Sequence, residues 1–443
     1  MRASRIVVVS NRVPARPGTP AGAGGLVAAL GPALAAAGGL WFGWSGGAGP
    51  ASSPPRRWAD GAVQYATLDL PVEEIAAYYE GWCNSTLWPL LHGMPERACP
   101  AEGGEETWRA VNSRFARWLL PMLRGADLVW VQDYHLIPLG RALRALGWGG
   151  ALGYFHHVPV PSLAHWNAIP NVEAWGSLFA AYDLLGVQTE RDCERLTSYL
   201  GPGGPEVVAL GAAVDGQAVT ARAATHLEDA FAATRHGRAV VFGLDRLDYT
   251  KGVPARFDAF ARLIGADRGL ADRAMLAQWS APSREGVAAY RDERAQVEAG
   301  AAHIGTLGGD VDLRLEVLSP ALVSTGLRDA EVCLVTSIAD GMNLVAKEYV
   351  AAQRPERPGV LVLSDGCGAA EALRGALIVP SGDTPALAHA IEVGLTMPLG
   401  ERVHRWESLH AIVGAESPER WATAFLDRLQ HAAGERRGRR VVV

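Results

Sequence analysis

The stretch that sets the fold class is DGMNLVAKEYVAA, residues 340–352, which directly follows the apolar run EVCLVTSI. An acid, a glycine and an asparagine stand between the apolar run and a helical pattern. We therefore predict a strand that turns sharply into a helix. A helix that begins at such a corner presents unpaired main-chain amides and a partial positive charge, and both favour an anion.

The same strand-then-helix pattern recurs along the chain in two series. The predicted strands of the first series are RIVVVSN, LWFGWSG, DLVWVQD, ALGYFHH, LLGVQT and EVVALG, and those of the second are AVVFGLDR, AMLAQWSA, AHIGTLG, EVCLVTS, GVLVLSD and ALIVP. Strands that alternate with helical patterns indicate βαβ units, and uninterrupted apolar runs suit parallel strands covered on both faces. We expect an α/β protein with two Rossmann-like parallel-sheet domains that face a deep cleft.

The boundary between the domains is predicted within residues 212–238, which separate the two series. We place the first domain at residues 1–219 and the second at 220–415. The basic end of the chain, residues 433–443 with the run ERRGRRVVV, is interpreted as a solvated, frayed tail.

Composition excludes several classes of protein. A formal net charge of −6 without a basic stripe argues against a general nucleic-acid binder. The five cysteines form no CxxC pair, which predicts neither a zinc site nor a disulfide framework and suits reduced thiols in the cytoplasm. The apolar run IVVV near the start is too short for a signal peptide, and no run reaches transmembrane length.

Polar residues follow most of the predicted strands, at the edge of a parallel sheet where ligands bind. Those that follow the first-series strands are Asp133, Tyr134, His135, His156 and His157, and those that follow AVVFGL include Asp245, Arg246, Asp248 and Lys251. The first strand is followed by a glycine-rich loop, GTPAGAGGLVAAL, in which Gly24 and Gly25 would let the backbone approach a ligand closely.

These residues predict a site for a nucleotide-diphosphate sugar. The amides near residues 344–345 would receive the diphosphate, and Arg246 and Lys251 would clamp the same phosphates. Glu348 disfavours a phosphate, but its carboxylate suits the paired hydroxyl groups of a ribose. The pattern alone makes Lys347 an ordinary residue of the first helical turn.

The motifs VVVSNR, GGLWFGWSG, YYEGWCNSTLWPLLH, VQDYHL, HHVPVPS, DRLDYTKG and DGMNLVAKEYVAAQ together resemble the trehalose-6-phosphate synthase family, glycosyltransferase family 20. The resemblance runs from about residue 5 to 430. It implies a GT-B fold, a role in trehalose biosynthesis and osmoprotection, and transfer of glucose from UDP-glucose to glucose 6-phosphate with retention at the anomeric carbon. It also implies that no metal or cofactor is used, and that a C-terminal helix at about residues 416–432 packs back on the first domain.

The resemblance assigns roles to particular residues. Those implied at the donor are Gly24, Gly25, Arg246, Lys251, Leu318, Leu344, Val345, Ala346, Lys347 and Glu348. Those implied at glucose 6-phosphate are Arg12, Tyr79, Trp88, Asp133 and Arg294, while His157 and Asp340 are expected beside the donor glucose. The implied catalytic set is Asp133, His157, Arg246, Lys251 and Asp340. Without the family, Arg294 would look like a salt-bridge residue on a helix surface.

The chain departs from the family pattern in three places. Ala339 stands where an arginine usually precedes the acid of DGMN, Leu318 and Ser319 replace a Phe-Asp pair near the uracil, and only GPGGP separates LTSYL from EVVAL. Leu318 would therefore contact the base through its backbone. These departures leave the choice among UDP, GDP and ADP open.

Retention without an obvious nucleophile suggests front-face attack, in which the leaving phosphate accepts the acceptor's proton. No covalent carboxylate is then needed, unlike in a retaining glycosidase. Asp310 and Asp312 form a DxD, the metal-binding signature of the other main glycosyltransferase fold. We predict that they lie in a solvated loop, away from the strand ends.

Two other functions remain open at this point. One is a related enzyme with another acceptor, such as glycerol 3-phosphate, and the other is a regulatory protein on an inactive synthase fold. Arg246, Lys251 and Glu348 argue against the second. The expected partners are small-molecule substrates, with no nucleic acid and no membrane, and a homo-oligomer (dimer or tetramer) is possible.

Overall fold

The chain folds into two compact units in a computed structural model that describes residues 4–14, 25–224, 228–284 and 286–441. The first unit is Met1–Ala212 together with Pro418–Val443, and the second is Ala213–Ser417. The chain thus passes between the units after Ala212, whereas we predicted a boundary after residue 219.

An eight-stranded sheet forms the centre of the first unit. Its strands are β1 (Ile6–Arg12), β2 (Gly39–Ala48), β3 (Arg56–Asp60), β4 (Val63–Leu70), β5 (Leu128–Gln132), β6 (Ala151–Phe155), β7 (Leu184–Val187) and β8 (Glu206–Ala209). Their order across the sheet is β3-β4-β2-β1-β5-β6-β7-β8. Every neighbouring pair is parallel except β3 with β4.

A six-stranded sheet forms the centre of the second unit. Its strands are β9 (Ala239–Arg246), β10 (Ala274–Ala281), β11 (Val311–Arg314), β12 (Val332–Val335), β13 (Val360–Ser364) and β14 (Leu377–Val379). They are all parallel, in the order β11-β10-β9-β12-β13-β14.

Helices connect the strands of both sheets. In the first unit they are α1 (Gly25–Ala37), α2 (Val72–Glu74), α3 (Trp88–Leu91), α4 (Gly104–Leu119), α5 (Leu139–Ala145), α6 (Leu163–Trp166), α7 (Trp175–Phe179) and α8 (Glu190–Leu200). In the second unit they are α9 (Gly216–Ala224), α10 (Ala232–Arg235), α11 (Val253–Ala266), α12 (Ala288–Thr306), α13 (Pro320–Asp329), α14 (Leu344–Ala352), α15 (Thr384–Thr396) and α16 (Leu399–Ala415). The last helix, α17 (Pro418–Val441), belongs to the first unit and packs on β5, β6 and β7.

Shorter helical turns complete the described chain. The 3₁₀ turns are Pro95–Arg97, Leu120–Met122, Tyr134–Leu136, Val172–Ala174, Tyr249–Lys251, Arg268–Leu270 and Gly368–Glu371. A π-helix spans Ile75–Leu87 and contains most of the YYEGWCNSTLWPLLH motif.

No helix among the described residues combines the length and the apolar character that crossing a membrane requires.

Apolar residues on both faces explain the parallel sheets. In β9, Val240 and Phe242 enter one apolar layer and Val241 enters the other, as the alternation of a strand requires. A strand covered on both faces has no solvent side, so its sequence reads as an unbroken apolar run. The predicted α/β architecture is confirmed.

One predicted strand was wrong, and three strands, β3, β4 and β11, were not predicted. AHIGTLG, residues 302–308, ends helix α12, because Val297 and Ile304 lie seven residues apart on the same buried helical face. The strand follows at Val311–Arg314. The antiparallel pair β3 and β4 was not predicted, since its burial pattern is irregular and β3 is mostly exposed.

The end of the chain also differs from the prediction of a frayed tail at 433–443. Helix α17 continues to Val441, Ala433 is buried, and Arg436 donates to Asp183 Oδ1 at 2.9 Å. This contact ties the basic segment to the loop before β7.

Candidate active site

The corner after β12 is a rigid turn closed by Asn343. This residue has a φ of 68°, and its Oδ1 accepts a hydrogen bond from the Val345 amide at 3.1 Å, which caps α14. Its Nδ2 donates to Asp340 Oδ2 at 3.1 Å. Asparagine tolerates a positive φ better than most residues, which suits it to this position. The cap also engages one of the two amides predicted to meet a diphosphate.

The loop after β9 meets this corner. Lys251 Nζ forms an ion pair with Asp340 Oδ2, and the Thr250 carbonyl accepts a hydrogen bond from the Ile338 amide at 2.8 Å. Asp248, fully buried, accepts from both the amide and the hydroxyl of Thr250 at 3.1 and 3.0 Å. The predicted donor residues Lys251 and Asp340 therefore lie in direct contact, on loops that the backbone holds together.

Lys251 is a buried cation that stays charged. Burial by itself lowers its pKa, but the Asp340 and Asp245 carboxylates outweigh that effect, and the net pKa is raised. Arg246 is exposed at the end of β9, and its charge acts on Lys251 and helps to lower the pKa of Asp248. The loop thus carries two cations, and Asp340 holds one of them, Lys251, in an ion pair.

Lysine is rare in this chain, which makes the two lysines informative. Of 41 Lys and Arg residues only Lys251 and Lys347 are lysines, and both are buried in ion pairs. Lys347, 1% exposed, reaches Glu416 at 2.5 Å, just after α16. Its side chain is therefore committed to that carboxylate, and any contact with a donor would come from its main chain.

Glu348, the predicted ribose ligand, is partly exposed on the first turns of α14. Burial raises its pKa to about 7, and the charge of Arg222 opposes the rise. Arg222 lies on α9, which packs against α14, and its Nε lies 3.4 Å from Ser324 Oγ on α13. Because a carboxyl group with a pKa near 7 changes its charge around neutral pH, its hydrogen bonding to a diol depends on pH.

Most of the other predicted donor residues lie in or next to the apolar core of the second unit. Leu318, Leu344 and Val345 are half-buried against the apolar core, and Ala346 is fully buried. Ser319 caps α13 by accepting from the Leu322 amide at 3.3 Å. Gly25 begins α1, while Gly24 lies outside the described residues.

In the first unit an aromatic cluster surrounds Arg12 at the end of β1. Its guanidinium lies 4.8 Å from the Trp44 ring and 5.6 Å from the Tyr79 ring. Tyr79 in turn stacks on His135 at 6.0 Å. An exposed cation held over ring faces at a strand end suits the binding of an anion.

Asp133 and Trp88 lie at the same end of this sheet. Asp133 follows β5 with φ 71° and ψ 166°, a conformation that glycine normally occupies, and its Oδ1 accepts from the His157 amide at 3.1 Å. Trp88 is buried, 6.1 Å from the ring of Tyr134, the next residue after Asp133. The structure therefore brings four predicted acceptor residues, Arg12, Tyr79, Trp88 and Asp133, into one connected region of the first unit.

His157 follows β6 and is held on both ring nitrogens. Nε2 lies 2.8 Å from Gln132 Oε1, and Nδ1 lies 3.1 Å from Gln188 Nε2. Burial, with a smaller contribution from His156, lowers the pKa of His157 to about 3. The ring is neutral, and the protein itself occupies the lone pair that a general base would need.

Arg294, the fifth predicted acceptor residue, lies on α12 in the second unit. Its side chain is 42% exposed, and its Nε donates to Glu298 Oε1 at 3.0 Å, one turn along the helix. This is the surface pair that the sequence alone suggests. Its assignment to the acceptor rests on the family resemblance.

The DxD does not lie in a solvated loop, so that part of the prediction was wrong. Asp312 is a buried residue of β11 that contacts Trp279 Nε1 at 3.3 Å and Arg314 at 2.9 Å. Asp310, 65% exposed, pairs with Arg238 at 2.7 Å just before the strand begins. Both acids are thus engaged near the amino end of β11, whereas ligands of parallel sheets bind at the carboxyl ends. No cluster of three or more His, Cys, Asp or Glu side chains able to hold a metal ion occurs in the described part of the chain.

Sequence reasoning missed several polar residues around these positions. Asn343 was within the quoted motif but received no role, and Arg222, Gln132 and Gln188 were not singled out. Gln132 and Gln188 each end or directly follow a strand, β5 and β7. The rule that polar residues at strand ends face the ligand edge would have found both.

Comparison with known proteins decides the family. The model of glycosyltransferase family 20 matches residues 5–200 and 207–431. The chain belongs to glycosyltransferase family 20. The interval between the matched ranges contains the short GPGGP segment, where the chain departs from the family pattern.

Curated relatives in this family are similar over nearly their whole length. The trehalose-6-phosphate synthase of Klebsiella pneumoniae is 36% identical, over 97% of this chain and 95% of that protein. The synthase of Escherichia coli O1:K1 is 35% identical, over 96% of this chain and 95% of that protein.

Solved family 20 structures superpose closely on this chain. One is an α,α-trehalose-phosphate synthase (UDP-forming) from Burkholderia xenovorans in complex with glucose-6-phosphate. It has a TM-score of 0.92 and 33% identity, and the match covers 96% of this chain and all of that one. An E. coli protein bound with UDP-2-fluoro glucose has a TM-score of 0.90 and 33% identity, with 96% and 99% coverage. The GT-B fold expected from the sequence is confirmed.

Proposed function

We propose that this chain is an α,α-trehalose-phosphate synthase (UDP-forming). It transfers glucose from UDP-glucose to glucose 6-phosphate with retention, giving α,α-trehalose 6-phosphate and UDP. The observation that carries the proposal is the match, over 96% of the chain, to a solved synthase in complex with glucose-6-phosphate. The proposal also rests on the contact between Lys251 and Asp340 at the DGMN corner.

The second unit binds the donor in this proposal. Lys251 and Arg246 neutralise the diphosphate, and the amino end of α14 adds its partial positive charge. Glu348 accepts the ribose hydroxyls, and Leu318 contacts the base through its backbone. Asp340 lies beside the donor glucose and keeps Lys251 in place until the donor arrives.

The roles of the acceptor residues in this proposal follow the family resemblance. Arg12 and Arg294 bind the phosphate of glucose 6-phosphate, since guanidinium groups give charge-assisted hydrogen bonds to phosphate oxygens. Tyr79 and Trp88 pack on the sugar, and Asp133 accepts from its hydroxyls. The strained backbone of Asp133 fixes the direction of its carboxylate.

Transfer proceeds by front-face attack in this proposal. The C1–O bond to the diphosphate breaks as the acceptor hydroxyl forms the new C1–O bond on the same face, and the hydroxyl proton passes to the leaving phosphate. The protein positions two anionic substrates and stabilises negative charge on UDP as it departs. His157 takes no proton, because the protein already occupies both of its ring nitrogens.

A coupled assay with a panel of sugar nucleotides and sugar phosphates tests this function. We expect turnover with UDP-glucose and glucose 6-phosphate, and ¹H NMR of the product should show both anomeric protons in the α configuration. Preference for GDP- or ADP-glucose would revise the donor, and turnover only with glycerol 3-phosphate would revise the acceptor. Absence of turnover with every pair would contradict the proposal.

We further propose a cytoplasmic enzyme that forms a homo-oligomer, a dimer or tetramer. Its domains, as predicted from sequence, are an acceptor domain with the returning C-terminal helix and a nucleotide-sugar domain. Light scattering after size-exclusion chromatography measures the oligomeric state, and a single monomeric species at micromolar concentration would contradict that part.

A further inference from the structure

Four neighbouring strands of the first unit contribute to one hydrogen-bonded chain. Gln132 ends β5, His157 follows β6, Gln188 follows β7, and Ala212 lies beyond β8. The contacts run from the Ala212 amide to Gln188 Oε1 at 2.8 Å, from Gln188 Nε2 to His157 Nδ1 at 3.1 Å, and from His157 Nε2 to Gln132 Oε1 at 2.8 Å. Both glutamines are buried. This series of hydrogen bonds ends at Ala212, the last residue of the first unit before the polypeptide enters the second unit.

The Ala212 amide fixes the direction of every bond in this chain. A backbone N–H can only donate, so the atom of Gln188 that faces Ala212 is its carbonyl oxygen. The other end of that side chain is then the NH₂ group, which donates to His157 Nδ1. His157 Nδ1 therefore carries no proton, and the proton sits on Nε2, which donates to Gln132 Oε1. The imidazole has one defined tautomer and no charge.

The rest of the pocket holds the plane of the ring. The Phe155 ring lies 4.7 Å and the Trp421 ring of α17 lies 6.1 Å from the imidazole, centre to centre. Trp421 is itself fixed, since its Nε1 donates to the Leu210 carbonyl at 3.1 Å. Rotation of the ring would break two hydrogen bonds at once.

We propose that Gln132 and Gln188 are positioning residues, which hold His157 neutral and in the Nε2–H tautomer so that it presents one fixed surface to the donor glucose. This inference rests on the proposed function for its catalytic meaning, but the tautomer can be measured without any substrate. A charged imidazolium at this position would itself attract the departing diphosphate. The glutamines exclude that state, because Gln188 offers His157 a donor and not an acceptor.

Gln188→Glu tests the assignment by reversing one hydrogen bond. A carboxylate at residue 188 accepts from the Ala212 amide and also from the ring, so the proton is drawn to Nδ1. We expect ¹⁵N spectra of histidine-labelled wild type to show the Nε2–H tautomer for His157 without titration between pH 5 and 9. The variant should show a proton on Nδ1 or a titrating ring. We also expect kcat to fall at least tenfold, with both KM values within about threefold.

A matched control separates positioning from loss of a buried amide. Gln353 is also a buried glutamine that bridges two backbone groups, the Leu327 carbonyl at 2.5 Å and the Gly359 amide at 2.6 Å. Gln353→Glu should lower the melting temperature but leave kcat within threefold and the His157 spectrum unchanged. If Gln188→Glu does not fold, Gln132→Met and the wild-type spectrum still test the tautomer.

Two results would overturn the inference. One is a wild-type spectrum with the proton on Nδ1, and the other is a switched tautomer in Gln188→Glu with wild-type kcat. Failure of the proposed function gives a different result: no sugar transfer by wild type, whatever the tautomer of His157.

Discussion

Lys251 is a cation that the fold keeps charged in a largely buried position. A lysine transferred from water loses hydration, and Asp340 restores the balance by forming an ion pair with it. When a diphosphate arrives, the ammonium group can turn from one anion to another without leaving its loop. Arginine supplies nearly every other cation of this chain, so a compact ammonium group at this position indicates a requirement for a point charge.

Replacing Lys251 by alanine should therefore act mainly on turnover. We expect kcat to fall by roughly 10²–10³-fold, the usual loss when one group that stabilises transition-state charge is removed. Lys251→Arg keeps the charge but changes its shape and should give an intermediate kcat. Steady-state kinetics on variants with wild-type circular dichroism spectra measure both effects. A folded Lys251→Ala enzyme with wild-type kcat would remove Lys251 from the catalytic set.

Glu348 should make donor affinity depend on pH. Its pKa is about 7 in the free protein, and ribose hydroxyls bind the ionised form, so donor binding releases a proton below pH 7. We expect the Kd of UDP-glucose, measured by calorimetry, to fall roughly tenfold between pH 6 and 8 and to level off above. Glu348→Gln should bind more weakly at pH 8 and show no such dependence. An equal pH dependence in both proteins would assign the titration to another group.

The same raised pKa has the opposite effect on stability. Between the ordinary glutamate pKa of 4.5 and about 7, the native state holds the proton more tightly than the unfolded chain. The contribution of Glu348 to the free energy of unfolding therefore falls as pH rises through this interval. Glu348→Gln removes that loss.

Sequence alone could identify residues whose position relative to a strand defines their role. Lys251 and Asp340 follow predicted strands, and the structure places both at the same edge of one sheet. The direction of the Lys347 side chain could not be predicted, because its partner Glu416 lies 69 residues further along the chain. The same holds for Gln188 and Arg222, whose partners depend on how strands and helices pack.

At the scale of elements, α14 is held at both ends. Asn343 caps its start, and Lys347 connects its first turns to the end of α16. The corner that we propose to face the donor is thus attached to the segment where the chain leaves the second unit.

Lys347→Met should consequently affect stability more than catalysis. The change removes one partner of a buried ion pair, and we expect a loss of about 1–3 kcal/mol in the free energy of unfolding. The kcat and the KM for UDP-glucose should stay within threefold. Chemical denaturation and steady-state kinetics measure the two quantities. A tenfold rise in the donor KM with unchanged stability would instead assign the side chain to the donor.

Helix α12 presents two arginines that allow a paired test of the acceptor site. Arg294→Ala should raise the KM for glucose 6-phosphate at least tenfold and leave the donor KM nearly unchanged, because a phosphomonoester needs cations around it. Arg291 is exposed on the same helix and donates to the Gly286 carbonyl at 3.1 Å. Arg291→Ala is the control and should change both KM values less than twofold. Equal rises in both KM values for Arg294→Ala would make Arg294 structural.

The same region shows where prediction from sequence failed. The run AHIGTLG contains apolar residues that suit a strand, but Ile304 belongs to the buried stripe that begins at Val297. A short apolar run at the end of a helix cannot be distinguished from a strand by composition. Because the strand was predicted too early in the chain, the DxD was predicted to lie in a loop, whereas Asp312 belongs to β11.

At the scale of the whole molecule, each unit repeats one plan. In each unit, the loops at the carboxyl ends of the parallel strands carry the residues predicted to bind substrates. Each unit also has a polar residue with positive φ after a strand, Asp133 after β5 and Asn343 after β12. Such backbone costs on the order of 1–3 kcal/mol per residue and persists only where the surrounding structure enforces it. Strain at the ligand edge of both sheets supports the assignment of function to these edges.

The charge balance at the donor corner leads to the last prediction, which concerns metal. In the proposed donor site, Arg246 and Lys251 of the loop after β9 and the start of α14 bind the diphosphate, so we expect activity to survive exhaustive EDTA treatment with little change. Asp310 and Asp312 lie at the amino end of β11 and are engaged by Arg238, Arg314 and Trp279. Changing both acids to alanine should therefore lower the melting temperature, since Asp312 is buried, but leave kcat of the folded enzyme within a few-fold. Loss of turnover in EDTA that Mg²⁺ or Mn²⁺ restores would show that a divalent ion bridges the diphosphate and that these cations do not suffice.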